Sequence, residues 1–459
     1  MTPRAGSSGR YAGEHAVVVG LGASGVAAAR VLAEEGADVV VSERRAASGL
    51  GRVEEIEALH ALGVRIMAHG HRVEHLKDAT LVVVSPGVPE HAPVLRWAET
   101  RGIPVWSELE LGSQLCDVPY VAITGTNGKT TTTEMVAAAF REAGVASAPC
   151  GNIGYQFSLA AREEYEALVV EASSFQLRYH RSFRPRISVL LNLSPDHLDW
   201  HGSFDAYVAA KARIFELQDQ ADVHVGSRDD PVAAAVSARA PCRTVWFTSG
   251  PPADGEVGYE DGELVSRLEG SAVPLGRPAS RHAGFQADAA AAGAAALAFG
   301  LPAQAVAAGI ASVGPLPHRG EVVARVRDVR FVDDSKATNP HAAVAALAGM
   351  HDAVLVAGGQ SKGIDLSPLA TLTPSLAGVV VLGEAALQIA ALFEGRLPVR
   401  RARSIEEAAR MGLELAPPGG TVILAPACAS LDMFADYRER GERFGAAAVR
   451  LAEEVRNVG

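Results

Sequence analysis

Short apolar runs alternate with longer alanine- and leucine-rich stretches along the whole chain, and most of the runs end at glycine or polar residues. In the first third, apolar runs lie at 15–19, 38–42 and 81–84, and an alanine-rich stretch separates the first two. Continuous apolar runs of this length are typical of buried parallel strands, and the stretches between them are typical of helices. This third therefore predicts alternating strands and helices, up to a looser pattern at 106–119 that indicates a domain boundary.

The same alternation continues to the end of the chain. Strands are predicted at 120–123, 167–171, 187–192, 329–332, 353–357, 378–382 and 421–424, a hairpin at 257–265, and helices at 287–298 and 433–455. Prolines at 302, 315 and 317 mark a second boundary. Since the chain has 459 residues and a domain takes roughly 150, we expect an α/β fold of three domains. Their predicted bounds are 13–110, 111–315 and 316–459, after a flexible tail at 1–12.

Composition narrows the class of protein. A hydrophobic content of 48% with 21% charged residues excludes wholesale disorder, and a net charge of −11 argues against a general nucleic-acid or membrane-surface binder. The sequence contains neither a secretory signal nor an apolar stretch of about 20 residues. The four cysteines are widely spaced, as expected for reduced thiols in the cytoplasm.

Lysine is scarce in this chain. Of the 42 lysines and arginines only five are lysines, at 77, 129, 211, 336 and 362, and asparagine is equally scarce, at 127, 152, 192, 339 and 457. An ammonium is compact and can lose its proton, whereas a guanidinium is planar and stays charged. We therefore expect a specific task for every lysine except Lys77.

The first candidate site is the turn Gly20-Leu21-Gly22-Ala23-Ser24-Gly25, which follows a predicted strand and precedes a predicted helix. Glycines at this spacing let a diphosphate approach the backbone at a helix N-terminus. Glu43 ends the next predicted strand, where it can bind a ribose or base. Taken alone, this motif would favour a nicotinamide-dependent dehydrogenase.

The second candidate site is Gly125-Thr126-Asn127-Gly128-Lys129-Thr130, again between a strand and a helix. Backbone N–H groups of such a loop surround a phosphate, the lysine reaches the β- and γ-phosphate oxygens, and the hydroxyl of Thr130 can bind Mg²⁺. A dehydrogenase gives no reason for this loop. The sequence therefore favours an ATP-using enzyme.

Further polar groups follow other predicted strands. Glu171 ends one strand and His197 lies shortly after another, so the two can hold a divalent ion. Lys211 lies among small residues of a predicted helix, where a buried amine can react with CO₂ to give a carbamate. In the last third, segments 334–339, 358–362 and 425–432 each follow a strand and carry Lys336, Lys362 and Ser430, which suit an anionic substrate.

Together these motifs resemble the Mur ligase family, the ATP-dependent amide ligases of peptidoglycan precursor synthesis. The resemblance runs from about 15 to 455, and its most specific pieces are 125–132, 173–177, 317–319, 334–339 and 426–432, followed by Arg440-Gly441. It implies an N-terminal Rossmann-like domain for a UDP-sugar, a central P-loop ATPase-type parallel-sheet domain, and a C-terminal Rossmann-like domain for an amino acid. The pattern is most similar to that of the members that add D-glutamate to UDP-N-acetylmuramoyl-L-alanine.

The resemblance also implies roles for single residues. The UDP-substrate side is matched by Gly22, Ser24, Gly25, Glu43, Ser85, Gly87, Asn152, Ser173 and Gln176. The ATP side is matched by Gly125, Thr126, Asn127, Gly128, Lys129, Thr130, Thr131, Arg319 and Asp334. The glutamate side is matched by Thr338, Lys362, Ser430 and Tyr437, and two Mg²⁺ sites are implied at Thr130, Glu171, His197 and a carbamylated Lys211. Lys129, His197, Lys211 and Lys336 are then the catalytic residues.

Three positions depart from the family's usual pattern. Glu43 stands where aspartate is usual and Tyr437 where phenylalanine is usual. The usual motif His-Asn-x-x-Asn reads His282-Ala283-Gly284-Phe285-Gln286 here, so that Ala283 offers the nucleotide no polar group.

The implied reaction forms an amide with ATP, through an acyl phosphate, in a monomeric cytoplasmic enzyme with small-molecule substrates and no nucleic-acid or membrane partner. A relative that adds L-glutamate and a folylpolyglutamate synthase-like ligase stay open as alternatives. The latter lacks this kind of N-terminal UDP-binding domain.

Overall fold

The computed structural model describes residues 9–46, 49, 51–280 and 282–458. Most of the predicted tail, residues 1–8, lies outside the described residues. Residues 10–13 form a turn whose Tyr11 side chain is buried beside Trp106, with their ring centroids 6.3 Å apart.

By its internal contacts the chain divides into two compact units. The first comprises the described residues up to Leu193 together with Val208–Arg277 and Ala287–Val313, and it holds two sheets. The second comprises Ser194–Tyr207, Pro278–Gln286 and the described residues from Gly314 onward, and it holds a third sheet.

The N-terminal sheet is entirely parallel, with the order β3-β2-β1-β4-β5. Its strands are β1 (His15–Val19), β2 (Asp38–Ser42), β3 (Arg65–Met67), β4 (Leu81–Val84) and β5 (Val105–Ser107). Its helices are α1 (Ala23–Glu34), α2 (Val53–Ala61), α3 (Pro93–Thr100) and α4 (Glu108–Leu115). Alternate residues of β1 pack on opposite faces, Val18 into one apolar core and Val17 with Val19 into the other.

The central sheet has the order β14-β13-β12-β11-β10-β9-β6-β8-β7. Its strands are β6 (Tyr120–Thr124), β7 (Ser147–Gly151), β8 (Ala167–Glu171), β9 (Ile187–Leu190), β10 (Val223–Ser227), β11 (Arg243–Phe247), β12 (Glu256–Glu260), β13 (Glu263–Ser266) and β14 (Val273–Pro274). The helices in this part of the chain are α5 (Lys129–Glu142), α6 (Phe157–Ala160), α7 (Ser174–Leu177), α8 (Leu198–His201), α9 (Phe204–Ala212), α10 (Pro231–Ser237), α11 (Ala283–Phe299) and α12 (Ala303–Ser312). The predicted hairpin is β12–β13, and its turn residues Asp261 and Gly262 both have positive φ.

The C-terminal sheet has the order β15-β16-β20-β17-β18-β19 and is parallel except for the β15–β16 pair. Its strands are β15 (Glu321–Val326), β16 (Val329–Asp333), β17 (Ala353–Gly358), β18 (Leu376–Leu382), β19 (Val399–Arg401) and β20 (Thr421–Leu424). Its helices are α13 (Pro340–Ala346), α14 (Ala386–Phe393), α15 (Ile405–Leu415) and α16 (Tyr437–Val458).

The last helix begins later than the predicted residue 433. Asp436 accepts hydrogen bonds from the backbone N–H groups of Arg438 and Glu439, at 2.8 and 3.0 Å, and so caps the helix start. Residues 431–436 before it form turns and bends. Helical periodicity could not find this start, because the cap depends on one side chain. Among the described residues, no helix combines the length and the apolar character that crossing a bilayer requires.

Candidate active site

The loop between β6 and α5 has the geometry that a phosphate site needs. Gly128 has φ +87°, and a Cβ there would lie 2.0 Å from Oδ1 of Asp288. Glycine is therefore required both by the backbone conformation and by the lack of space. Helix α5 begins at the next residue, so its first N–H groups point into the loop.

Two of the rare lysines meet at this loop. Nζ of Lys129 donates to the carbonyl oxygens of Gly125 and Thr126, at 2.9 and 3.0 Å. Nζ of Lys211 donates to the same Gly125 oxygen at 2.7 Å and to the hydroxyl of Thr124 at 3.4 Å. The Lys211 side chain is buried, with 2% of the residue exposed. The loop thus carries two cationic side chains beside a helix N-terminus, an arrangement suited to a highly charged anion.

Asn192 holds the loop from the neighbouring strand. Its Oδ1 accepts from the backbone N–H of Asn127 at 2.8 Å, and its Nδ2 donates to the Asn127 carbonyl at 3.1 Å. The motif analysis missed this residue because the amide comes from a segment 65 positions away. The scarcity of asparagine was the one signal that pointed to it.

Glu171 lies at the end of β8, buried, and its position is fixed by Asn152. Nδ2 of Asn152 donates to Oε1 of Glu171 at 2.9 Å, and the Asn152 N–H donates to the Glu171 carbonyl at 2.8 Å. Thr130, the second residue of α5, supplies a hydroxyl in the same unit. Hydroxyl and carboxylate oxygens are ligands that Mg²⁺ prefers, so these donors fit the implied ion. His197 belongs to the other unit, and the described residues contain no preformed group of three or more His, Cys, Asp and Glu ligands.

Ser173 and Gln176 form a capping box at the start of α7. The Ser173 hydroxyl accepts from the Gln176 N–H at 3.3 Å, and Oε1 of Gln176 accepts from the Ser173 N–H at 3.0 Å. Nε2 of Gln176 is buried and has no hydrogen-bond partner within the described residues. A buried donor of this kind is available to a ligand.

The N-terminal glycine turn is built differently. Oε2 of Glu43 accepts from the Leu21 N–H at 2.7 Å, and the Ser85 hydroxyl donates to the Gly20 carbonyl at 3.0 Å. A Cβ at Gly25 would lie 2.0 Å from the Gly20 oxygen, whereas a Cβ at Gly22 would meet nothing within 4 Å. Gly25 is thus required for packing, and Gly22 borders open space in which a diphosphate can lie. Ser24, in the first turn of α1, and Gly87, after β4, lie at the carboxyl ends of the same sheet.

Oε1 of Glu43 is also engaged within the chain. It accepts from the backbone N–H and from Nε of Arg45, at 2.9 and 3.1 Å. Burial acts to raise the pKa of Glu43, but the hydrogen bonds from Arg45 and Leu21 outweigh it and hold the pKa below its usual value.

In the second unit, Asp196 is the centre of a polar cluster. Its Oδ1 accepts from Nζ of Lys362 at 3.0 Å and from the His197 N–H at 2.8 Å, and its Oδ2 accepts from Nδ2 of Asn339 at 3.3 Å. Asp196 is only 5% exposed. The Asp196 carboxylate is therefore buried beneath Lys362 and is not a surface helix cap. Asn339 also caps α13 through its Oδ1.

Lys336 lies over the ring of Tyr437, with Nζ 4.0 Å from the ring centroid. His318 contacts the same ring edge-on and pairs through Nδ1 with Oδ2 of Asp333 at 2.6 Å. A Cβ at Gly441 would lie 2.3 Å from that Nδ1. This close approach explains the glycine after Arg440, and the aromatic ring fixes the position of the ammonium.

Asp334 is half-buried, and the charge of Arg319 acts on it. Burial raises the pKa of Asp334 to about 7, the positive charge of Arg319 lowers it, and the negative charge of Asp333 raises it. A carboxyl group with this pKa is partly protonated at neutral pH, and it can exchange a proton there.

Arg440 is a structural residue that the motif analysis left without a role. It is 1% exposed, and it donates to the carbonyls of Cys428 and Ser335, at 3.1 and 2.9 Å, and to the Ser335 hydroxyl at 3.0 Å. It therefore ties α16 to the loops after β16 and β20. Those two loops carry Thr338 and Ser430.

Family models match most of the chain. The model of the Mur ligase MurD-like N-terminal domain matches residues 14–107, that of the Mur ligase middle domain matches 123–266, and that of the Mur ligase glutamate ligase domain matches 318–428. The UDP-N-acetylmuramoylalanine–D-glutamate ligase of Geobacter metallireducens is 40% identical over 96% of this chain and 98% of its own length. The ligase of the same name from Frankia casuarinae is 41% identical over 96% of this chain and 95% of its own.

Solved structures share the fold at low identity. The UDP-N-acetylmuramate-alanine ligase of Thermotoga maritima is 18% identical with a TM-score of 0.59, covering 95% of this chain and 99% of its own. A pseudomurein peptide ligase type C from Methanothermus fervidus is 19% identical with the same TM-score and coverage.

The three matched family models together cover more than half of the chain and define an amide ligase of peptidoglycan synthesis. The chain belongs to the Mur ligase family, whose members are ATP-dependent, ADP-forming enzymes.

Proposed function

We propose that this enzyme joins D-glutamate to UDP-N-acetylmuramoyl-L-alanine at the expense of ATP, releasing ADP and phosphate. The observation that carries the proposal is the pair of ammonium groups, Lys129 and Lys211, on one carbonyl of the loop after β6. The relatives, which are named D-glutamate ligases, support D-glutamate over the L-enantiomer. They also favour it over folylpolyglutamate synthesis, because the MurD-like N-terminal model matches residues 14–107.

The reaction must activate a carboxylate before an amine can attack it. In our proposal the γ-phosphoryl group of ATP moves to the L-alanyl carboxylate, which gives an acyl phosphate, and the amine of glutamate then displaces phosphate. Both steps place negative charge on oxygens. Lys129 and Lys336 stabilise that charge as point cations, and Arg319, which the family resemblance assigns to the phosphate side, adds a further positive charge. Mg²⁺, held by Thr130 and Glu171, would add electrostatic stabilisation.

We infer that Lys211 acts as a carbamate. Lys211 is buried, at 2% exposure, and burial disfavours the charged ammonium. Reaction of the neutral amine with CO₂ turns the side chain into an anionic oxygen ligand. The nitrogen of a carbamate keeps one N–H, so the hydrogen bond to the Gly125 carbonyl can persist after the reaction.

The glutamate carboxylates are assigned to Thr338, Lys362, Ser430 and Tyr437. Support comes from the Lys362 ammonium, which already binds one carboxylate, that of Asp196, and has further N–H groups to donate. The domain bounds 13–110, 111–315 and 316–459 remain our proposal for the UDP-sugar, ATP and glutamate domains. We further propose a monomeric cytoplasmic enzyme. The free state of all four cysteines is consistent with a reducing compartment.

The test is a ligation assay with ATP, Mg²⁺, UDP-N-acetylmuramoyl-L-alanine and each enantiomer of glutamate in separate reactions. We expect turnover with D-glutamate. One ADP and one phosphate should be released for each amide bond formed. AMP as product would overturn the phosphoryl-transfer scheme, and turnover with L-glutamate alone would overturn the substrate. Thermal stabilisation by NAD but not by UDP would point instead to a dehydrogenase.

A further inference from the structure

The acidic residue that the family resemblance places at the uridine end of the UDP substrate is already engaged within the chain. Glu43 is the acidic residue expected there, yet both of its oxygens accept hydrogen bonds from within the chain, from Leu21 and Arg45. The inference below rests on the proposed function, because it requires that the substrate is a UDP-sugar.

His71 lies beside Glu43 at the same edge of the sheet. Two backbone hydrogen bonds join the segment after β2 to the segment after β3. The Glu43 N–H donates to the Met67 carbonyl, and the Gly70 N–H donates to the Glu43 carbonyl at 3.1 Å. His71 therefore follows β3 just past the carboxyl end of β2. Ligands of open parallel sheets bind outside these carboxyl ends, so His71 borders the space beyond the glycine turn.

One hydroxyl orients two imidazole rings here. The hydroxyl of Ser42, the last residue of β2, lies 2.9 Å from Nδ1 of His71 and 2.8 Å from Nδ1 of His75. His75 is buried, at 6% exposure, whereas His71 is half-buried. Within the described residues, Nε2 of His71 makes no hydrogen bond. The ring is thus fixed at one nitrogen and offers the other.

We propose that Nε2 of His71 forms a hydrogen bond with the uridine moiety of the UDP substrate, and that His75 only fixes the Ser42 hydroxyl. A neutral imidazole can serve in either tautomer. As an N–H it donates to a uracil carbonyl, and as a bare nitrogen it accepts from the uracil N3–H or a ribose hydroxyl. Burial lowers the pKa of both histidines, which favours the neutral ring at physiological pH.

The test uses UDP itself as the ligand, with its Kd measured by calorimetry on the full-length enzyme. Asparagine at position 71 keeps a polar group near the Nδ1 position and loses the one at Nε2, whereas glutamine reaches the Nε2 position. We expect His71→Asn and His71→Ala to weaken UDP binding about five- to tenfold, the effect of one lost hydrogen bond. His71→Gln should stay within about threefold of the wild type.

The matched control is His75→Asn, which changes the second imidazole that contacts the Ser42 hydroxyl. It should lower Tm and leave the Kd of UDP within about twofold, since its ring is buried. Unchanged UDP binding by His71→Asn, with a normal Tm, would overturn the inference. A loss of ATP affinity equal to the loss of UDP affinity would also overturn it, because the defect would then be general.

A second arm locates the contact. With 2′-deoxy-UDP, a His71→Asn effect that disappears assigns the bond to the 2′-hydroxyl, and one that persists assigns it to the base or the 3′-hydroxyl; both support the proposal. A wild-type enzyme that binds UDP but lacks ligase activity would contradict the proposed function. The Kd of UDP could still be compared between the wild type and the His71 variants in that case.

Discussion

Two strand–turn–helix junctions in the first unit look alike in sequence and differ in what holds them. At the first, a carboxylate accepts the Leu21 N–H and a serine hydroxyl donates to the Gly20 carbonyl. At the second, the ammonium groups of Lys129 and Lys211 both donate to the Gly125 carbonyl. A turn braced by an anion can position a diphosphate through its backbone, but it supplies no cation to a transition state. A turn that carries the Lys129 ammonium can supply positive charge where phosphoryl transfer needs it, and Lys211 as the proposed carbamate would supply an oxygen ligand for Mg²⁺.

A glycine turn before a helix indicates an anion site, and the side chains around the turn determine whether a reaction is catalysed there. We therefore expect changes at the second turn to reduce kcat, and changes at the first to alter binding.

Lys211→Ala should reduce turnover by about a thousandfold or more, because it removes the proposed carbamate ligand together with the hydrogen bond to the Gly125 carbonyl. Short carboxylic acids added to this variant should restore part of the activity by replacing the missing oxygen ligand. The measurement is kcat with and without acetate or formate. Wild-type-like activity without rescue would refute the role of Lys211.

Lys129→Ala should lower kcat by roughly 10²–10³, with a smaller change in the KM of the UDP substrate. The chain supplies a matched control in Lys77, an exposed lysine of the N-terminal part. Lys77→Ala should leave both constants unchanged. If the two variants behaved alike, the second turn would have no special need for its cation.

Glu43→Gln should raise the KM of the UDP substrate a few-fold and leave kcat unchanged, because the brace of the first turn loses its charge but keeps its shape. We expect a loss of stability of about 1–2 kcal/mol from the weakened bonds to Leu21 and Arg45. Steady-state kinetics and urea unfolding measure the two effects. A hundredfold fall in kcat would show that the first turn takes part in the chemistry and would remove the contrast.

Glu108→Gln should change neither turn but should change how stability depends on pH. Glu108 on α4 is buried, its Oε1 accepts from the Ser158 N–H at 2.7 Å, and burial raises its pKa to about 7. A raised folded-state pKa means that this stability is present below about pH 4.5 and is lost as the pH rises through about 7. The stability of Glu108→Gln relative to wild type should therefore increase by about 3 kcal/mol between pH 4 and 8.

Glu110, two residues further on the same helix, provides the control with opposite sign. Burial acts to raise its pKa, but hydrogen bonds from Arg181, Ser182 and Gln114 outweigh it and lower the pKa. Its contribution is present above the unfolded-state pKa and is lost as the pH falls through the lower folded-state value. Glu110→Gln should thus lose its destabilising effect in acid. The same trend in both variants would contradict the assignment of either group.

Sequence reasoning found both turns, because each depends on residues within six positions of one another. The strand, glycines and following helix at 120–142 are local features, and hydrophobic period and backbone freedom predict them. The alternation of strands and helices likewise predicted parallel sheets, and the structure confirms this α/β class. Composition identified the unusual lysines before any contact was known.

Tertiary structure alone decided which side chains serve those local features. Glu43 braces Leu21 and Arg45, Asn192 holds a loop 65 residues away, and Asp196 binds a lysine 166 residues away. The number of residues between two positions does not indicate whether their side chains meet, because the sheet order brings together strands that are not consecutive. Local sequence therefore determined where anions can bind in this protein, and the folded arrangement determined which charges meet them, because electrostatic energy depends on distance in space.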